Sequence, residues 1–286
     1  MRVTLQGLNL IEHIFLLPIG VFLGLFILFP LGNVLVRSFI DNNTGSLTLV
    51  NYYNILTSPQ YLNAIKNSLL FSIATTLVGA VAGTFIAFVI TKFPQRMKSI
   101  IMSLFSIPMT LSGLVVAFAF IVLLGRNGIF NIILKLLRLP GGWQFDLYTW
   151  VGLVVVYSFF EVPLMTLVMS AAMENLDVSL IEAGRSLGAK GWQLWRYIII
   201  PVLLPGFLGG ISILFAGMMG AFGTALALTG MEKNLLSLQI YSHTSESNFN
   251  IPQADALAVV LAIFIAVILI LISSLERRLQ PGRGKS

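Results

Sequence analysis

Residues 147–173 read LYTWVGLVVVYSFFEVPLMTLVMSAAM, a run of twenty-seven residues with one charged side chain, Glu161. A bilayer core needs about 20 consecutive apolar residues per helix, and this run exceeds that. Five more charge-poor runs flank it, at about 14–36, 67–91, 99–125, 198–230 and 256–275. Of the 286 residues 57% are hydrophobic and 10% charged, against the ~25% charged residues of soluble domains. Too few charges remain to cover a water-facing surface. The sequence predicts an all-α polytopic membrane protein with six transmembrane helices and one transmembrane domain over 1–286. The runs exceed the minimum, so tilt, kinks or interfacial turns are expected. The first is too long for a signal-peptide core and is expected to stay as a membrane helix.

The seventeen bases sort by side. With both termini inside, Arg2, Lys92, Arg96, Lys98, Arg185, Lys190, Arg196, Arg277, Arg278, Arg283 and Lys285 face the cytoplasm. Six bases, Arg37, Lys66, Arg126, Lys135, Arg138 and Lys233, face out. That asymmetry favours cytoplasmic termini in a cell membrane, with the bases near lipid headgroups rather than nucleic acid. The outer connections are 41–60, 125–146 and 231–255. In the second, ILKLLRL suggests a short surface helix stopped by Pro140 and Gly141. Pairs Gly79/Gly83 and Gly206/Gly210 form GxxxG spacings, read first as close packing within the subunit. Pro18, Pro30, Pro108, Pro163, Pro201 and Pro205 should kink or end helices.

Downstream of the opening run, IEAGRSLGAKGWQLWRYIIIPVLLPG (181–206) crowds one acid, three bases and two tryptophans into a loop at about 174–200. Asp177 or Ser179 can cap a helix, and Ser179 with Glu182 matches a capping box. Gly188 suits a left-handed stop. A second helix is expected from Lys190 or Gly191, with Trp192, Trp195 and Ile199 on one side and Pro201 marking entry into the membrane. An interfacial loop with tryptophan anchors accounts for much of this. A glycine-cornered pair of helices with a small apolar face also suits docking into a groove on another protein.

The loop resembles the EAA loop of type I ABC-importer permeases, written E-A-A, three residues, G, nine residues, I-x-L-P. Here Glu182-Ala183-Gly184 is followed after three residues by Gly188, and after nine more by Ile198-Ile199-Ile200-Pro201. Gly184 replaces the third alanine and Ile200 the leucine. The resemblance implies the type I importer permease fold, with Glu182, Ala183, Gly184, Gly188, Ile198 and Pro201 coupling the chain to an ATPase. It implies as partners two ABC ATPase subunits, a second permease (a related chain or another copy) and an extracytoplasmic solute-binding protein. AFGTALALTG (221–230) and LLSLQIY (235–241) resemble the permeases grouped with polyamine, iron, phosphonate and thiamine transporters.

No catalytic motif competes with that reading. The C-terminal PGRGKS lacks the first glycine of a phosphate loop, because Leu279 stands there, and no helix follows it. ATP and its magnesium are therefore expected on a separate ATPase, with no cofactor or metal in this chain. His13 and His243, the two histidines, are expected on opposite sides. There is no cysteine, so thiolate chemistry is excluded. Glu161 lies deep in the fourth run, where an ionisable group costs about 2.5–3.5 kcal/mol on insertion scales. It reads either as a pathway carboxylate for a cationic solute or as a buried group bonded to a neighbouring helix. A polyamine or related cation is the first expectation for the solute and an aminophosphonate the next. A stand-alone, ion-gradient-driven transporter or channel is the alternative of a different class.

Overall fold

A computed structural model describes residues 10–137, 144–245 and 248–279. The described chain is built from α1 (Leu10–Leu23), a π-helical turn Gly24–Leu28, α2 (Phe29–Arg37), α3 (Val50–Thr57), α4 (Pro59–Ile90), α5 (Gln95–Thr110), α6 (Gly113–Leu124) and α7 (Ile129–Leu136). There follow α8 (Trp150–Glu174), α9 (Val178–Ser186), α10 (Gly191–Leu194), a π-helical turn Trp195–Ile199, α11 (Ile200–Met219), α12 (Gly223–Thr229), α13 (Leu236–Thr244) and α14 (Ile251–Leu279). Among the described residues six stretches are long and apolar enough to cross a membrane: Leu17–Arg37, Pro59–Ile90, Gly113–Leu136, Trp150–Glu174, Gly191–Met219 and Ile251–Leu279.

Polar contacts refine the third of these. Lys98 in α5 pairs with Glu174 at the C-terminal end of α8. Asn131 in α7 accepts from the Phe145 amide at 2.8 Å, just before α8 begins. Thus α5 and α6 together run the length of α8, and α7 lies beyond the far end, after a turn closed by Gly128 N–H donating to the Gly125 carbonyl at 2.8 Å. The crossing expected as one run at 99–125 is broken at Leu111 and Ser112, both in extended backbone. Pro108 precedes the break and cannot donate to the helix ladder.

The run expected at 198–230 also needs correction. Helix α11 ends at Met219, and the chain turns through Gly220–Phe222 into the separate α12. The polar connection 231–255 is mostly helical, because α13 folds back onto α4. Asn67 Nδ2 donates to the Asn234 carbonyl at 3.1 Å, and the Leu236 amide donates to Ser68 Oγ at 2.8 Å. His243 is buried, with Nε2 2.7 Å from the Tyr61 hydroxyl, rather than sitting in a loop. The side chain of His13, the stop at Pro140 and Gly141, and the tail 281–286 lie outside the described residues.

The centre of the bundle is α8, gripped by α4 and α11. A Cβ added at Gly83 would stand 2.6 Å from Met165 Cβ and 2.7 Å from the Val162 carbonyl oxygen. One added at Gly79 would stand 2.7 Å from Glu161 Cβ. On the α11 side, a Cβ at Gly206 would meet Ala172 Cβ at 2.8 Å and one at Gly210 would meet Met165 Sδ at 2.6 Å. Both GxxxG pairs therefore pack α8 inside this subunit, letting backbones approach where lipid gives no hydrophobic drive. At the ends of the bundle, Arg37 pairs with Asp255 at 3.0 Å, tying α2 to α14.

Candidate translocation cavity and coupling unit

The two breaks meet. Thr224 Oγ1, in the first turn of α12, donates to the Gly113 carbonyl at the start of α6 at 3.0 Å. The Ala225 amide donates to the Tyr157 hydroxyl at 3.0 Å. Ser237 Oγ donates to the Ala221 carbonyl, holding the turn after α11 from its other side. Interrupted helices inside a membrane leave backbone groups that water cannot satisfy, and these side chains take over part of that task.

Between the breaks lies an open cavity of about 470 Å³. Ser112, Gly113, Tyr157, Phe160, Glu161 and Phe222 are among its lining residues. Tyr157 and Glu161 stand one helical turn apart on α8 and so share a face. Glu161 is 2% exposed, and its Oε2 has no hydrogen-bond partner among the described residues. It is thus buried without the bond to a neighbouring helix that a purely structural carboxylate would need. Of this lining, sequence reasoning found only Glu161. Glycines beside the breaks, in LSGL (111–114) and GAFGT (220–224), were the available signal for the rest.

At the other end of α8, thirteen residues or about 20 Å along the helix from Glu161, stands the helix pair. Asp177 is the cap of α9, accepting from the Ser179 amide at 2.9 Å, and hydrogen bonds from the Ser179 hydroxyl first and that amide second hold its carboxyl below the ordinary 3.8. Ser179 sits within α9, so the Ser179/Glu182 capping box does not form. Gly188 has φ +81°, and the Ala189 amide reaches back to the Gly184 carbonyl at 3.0 Å, closing a left-handed helix stop. The second helix starts at Gly191 behind Lys190, whose amide donates to Gln193 Oε1 at 2.8 Å.

Gly184 is the point of contact between the two short helices. A Cβ there would meet Ile198 Cδ1 at 2.6 Å and Leu194 Cδ2 at 2.7 Å. Gly184 is buried, Ile198 half-buried, and Glu182, Ala183 and Gly188 are exposed. Pro201 is the second residue of α11 and follows directly on the π-helical turn, so the chain is helical on both sides of it. Trp192 and Trp195 do not act alike: Trp192 is 71% exposed, whereas Trp195 packs edge-on against Phe88. Leu187 is 89% exposed and Tyr197 70%, so apolar surface on this unit is left uncovered by the chain itself.

Residues 76–285 match the family described as the binding-protein-dependent transport system inner membrane component. The chain belongs to that family. This inner membrane component is 26% identical over 265 residues to the sulfate transport system permease protein CysT of Escherichia coli (strain K12), covering 90% of this chain and 89% of that one. It is 28% identical over 249 residues to the spermidine/putrescine transport system permease protein PotB of Haemophilus influenzae, covering 85% and 86%. Its fold matches a chain of a bacterial alginate ABC transporter in complex with alginate pentasaccharide-bound periplasmic protein. There the TM-score is 0.77 and the identity 20%, over 94% of each chain. The chain is thus a multi-pass permease subunit with the ABC-importer permease fold. That membership decides against the stand-alone, ion-gradient-driven transporter.

Proposed function

We propose that this permease carries a small cationic organic solute, a polyamine or a close relative, through the cavity around Glu161, driven by ATP hydrolysed on separate subunits. The observation that carries the solute class is the buried Glu161 carboxylate with an unpartnered oxygen, set among the Tyr157, Phe160 and Phe222 rings. A carboxylate and aromatic faces are the two groups that attract an ammonium in a site poor in water. The similarity to a spermidine/putrescine permease supports the same class, and the similarity to a sulfate permease opposes it.

The coupling half of the proposal rests on the helix pair. Glu182, Ala183 and Gly184 lie on the docking helix, Gly188 makes its corner, and Ile198 and Pro201 tie it to α11. The uncovered Leu187, Trp192 and Tyr197 support docking onto an ATPase, with two such ATPases, a second permease and an extracytoplasmic solute-binding protein completing the importer. ATP and magnesium belong to the ATPases. Both termini and the coupling unit face the cytoplasm, as the eleven-to-six split of bases favours.

ATP-driven uptake into proteoliposomes holding the full complex tests the solute class. Spermidine uptake is expected to fall about tenfold or more in Glu161→Gln, as loss of a charge-assisted contact implies, with ATPase activity retained. Unchanged spermidine kinetics in that variant, or uptake of sulfate in place of spermidine, overturns it. A second reading has one observation in its favour. The N-terminus of the twelve-residue α6, at Gly113, opens on the same cavity as Glu161. An aminophosphonate would place its amine on Glu161 and its phosphonate on the first amides of α6.

A further inference from the structure

A second hollow of about 480 Å³ lies on the flank of the bundle at the end that carries the coupling unit. Its walls are apolar: Phe85 and Phe88 from α4, Met169 and Met173 from α8, and Leu203 and Phe207 from α11. Trp195 also lines it. The π-helical turn Trp195–Ile199 sets that indole, because the extra residue in the turn rotates the chain ahead of α11. Trp195 then meets Phe88 edge-on at 5.3 Å, while Lys92 Nζ sits 4.8 Å from the centre of the Phe88 ring. Arg196 follows Trp195 and is exposed, as is Lys92. The hollow therefore has an apolar body, with Lys92 over the ring of Phe88 in its wall and the exposed Arg196 next in the chain to Trp195.

We infer that this hollow is a binding site for one anionic glycerophospholipid, with an acyl chain between α4 and α11 and the phosphate on Lys92 and Arg196. The body offers apolar contact to a chain, which alone would accept any lipid. Lys92 and Arg196 supply the charge complementarity that selects an anionic headgroup, since basic residues at the membrane surface attract such lipids. Stacking on Phe88 holds the Lys92 ammonium over that ring rather than letting it roam in water. Trp195 belongs to both structures: it borders the hollow and stands one residue after Leu194, which packs on Gly184 of α9. A lipid seated there touches the unit proposed to receive the ATPase stroke, and bound lipid then sets the resting position of that unit. The site is independent of the solute proposed for the Glu161 cavity.

The test uses tryptophan quenching in the full complex, held in nanodiscs of phosphatidylcholine. A small, equal fraction of brominated phosphatidylglycerol or brominated phosphatidylcholine is added, and Trp195→Phe identifies the share of emission due to Trp195. Brominated phosphatidylglycerol is expected to quench that share several-fold more effectively than brominated phosphatidylcholine. The preference is expected to vanish in Lys92→Ala/Arg196→Ala. Equal quenching by both lipids means an ordinary lipid annulus and overturns the inference. No quenching by either means that protein, such as a helix of a second permease, fills the hollow, and overturns it as well. If Trp195→Phe does not assemble, native mass spectrometry of the unaltered complex decides: retention of phosphatidylglycerol over phosphatidylcholine supports the site, and equal retention overturns it.

Discussion

The seam between α4 and α8 and the helix pair at 178–200 both depend on glycine, but for opposite reasons. Along the seam Gly79 and Gly83 are needed for space, since backbone and Cβ atoms of α8 stand where any side chain would go. In the helix pair Gly188 is needed for its backbone angle, and nothing lies within 4 Å of its absent Cβ. The seam is finished within this chain. The helix pair is not: its corner is open, and Leu187, Trp192 and Tyr197 face outward. A tightly filled element needs no partner, whereas an exposed, sharply shaped one in a charge-poor protein has surface to give to another molecule.

Substitutions at the two places should therefore fail differently. The largest effect is expected from Gly83→Leu, which forces a branched side chain against the Val162 carbonyl and Met165 Cβ. A cost above about 3 kcal/mol follows from overpacking against backbone, read as loss of folded protein from the membrane fraction. Gly188→Asp comes next. A residue other than glycine at φ +81° costs about 1–2 kcal/mol, too little to unfold the bundle, yet it deforms the corner. The expected outcome is abolished ATP-driven uptake with unchanged membrane insertion, and intact uptake would erase the contrast with the seam.

Two smaller effects sharpen the comparison. Asp177→Ala removes the cap of α9, seen as faster hydrogen exchange at Ser179 and Leu180. The pH dependence follows from the lowered carboxyl. Capping by Asp177 is complete above the ordinary 3.8 and is lost as pH falls through the lower folded value, so neutral and mildly acid conditions leave α9 intact. Gly184→Ala should cost least, within about 1 kcal/mol, because the obstructing Leu194 Cδ2 and Ile198 Cδ1 are ends of flexible side chains. Coupled uptake near the unaltered rate is the expected result.

Periodicity and local spacing made some features legible. The Gly188 stop was readable, and the next helix start was readable to Lys190 or Gly191, because they are decided within a few neighbours. The Asp177 cap was legible only as one of two choices, since Ser179 offers the same oxygen two residues on and only the helix start separates them. The breaks at Leu111–Ser112 and Gly220–Phe222 were hidden, because an apolar run looks the same whether the helix continues or stops. Each break is stabilised by residues far away in the chain, Thr224 for Gly113 and Tyr157 for Ala225. The burial of α13 against α4 was hidden for the same reason: His243 finds Tyr61, the Leu236 amide finds Ser68, and the Asn234 carbonyl just ahead of α13 finds Asn67, rather than water.

By itself the sequence determined that the chain lives in a bilayer, how many times it crosses, and where a glycine-cornered helix pair interrupts it. Hydrophobic run length and backbone preference act locally, so they survive without a fold. Only the tertiary structure decided that Glu161 opens on a cavity instead of a neighbouring helix, that both GxxxG pairs close on α8, and that Trp195 packs on Phe88 while Trp192 stays out. Those outcomes depend on which surfaces meet, and a one-dimensional pattern does not record contacts between residues a hundred positions apart.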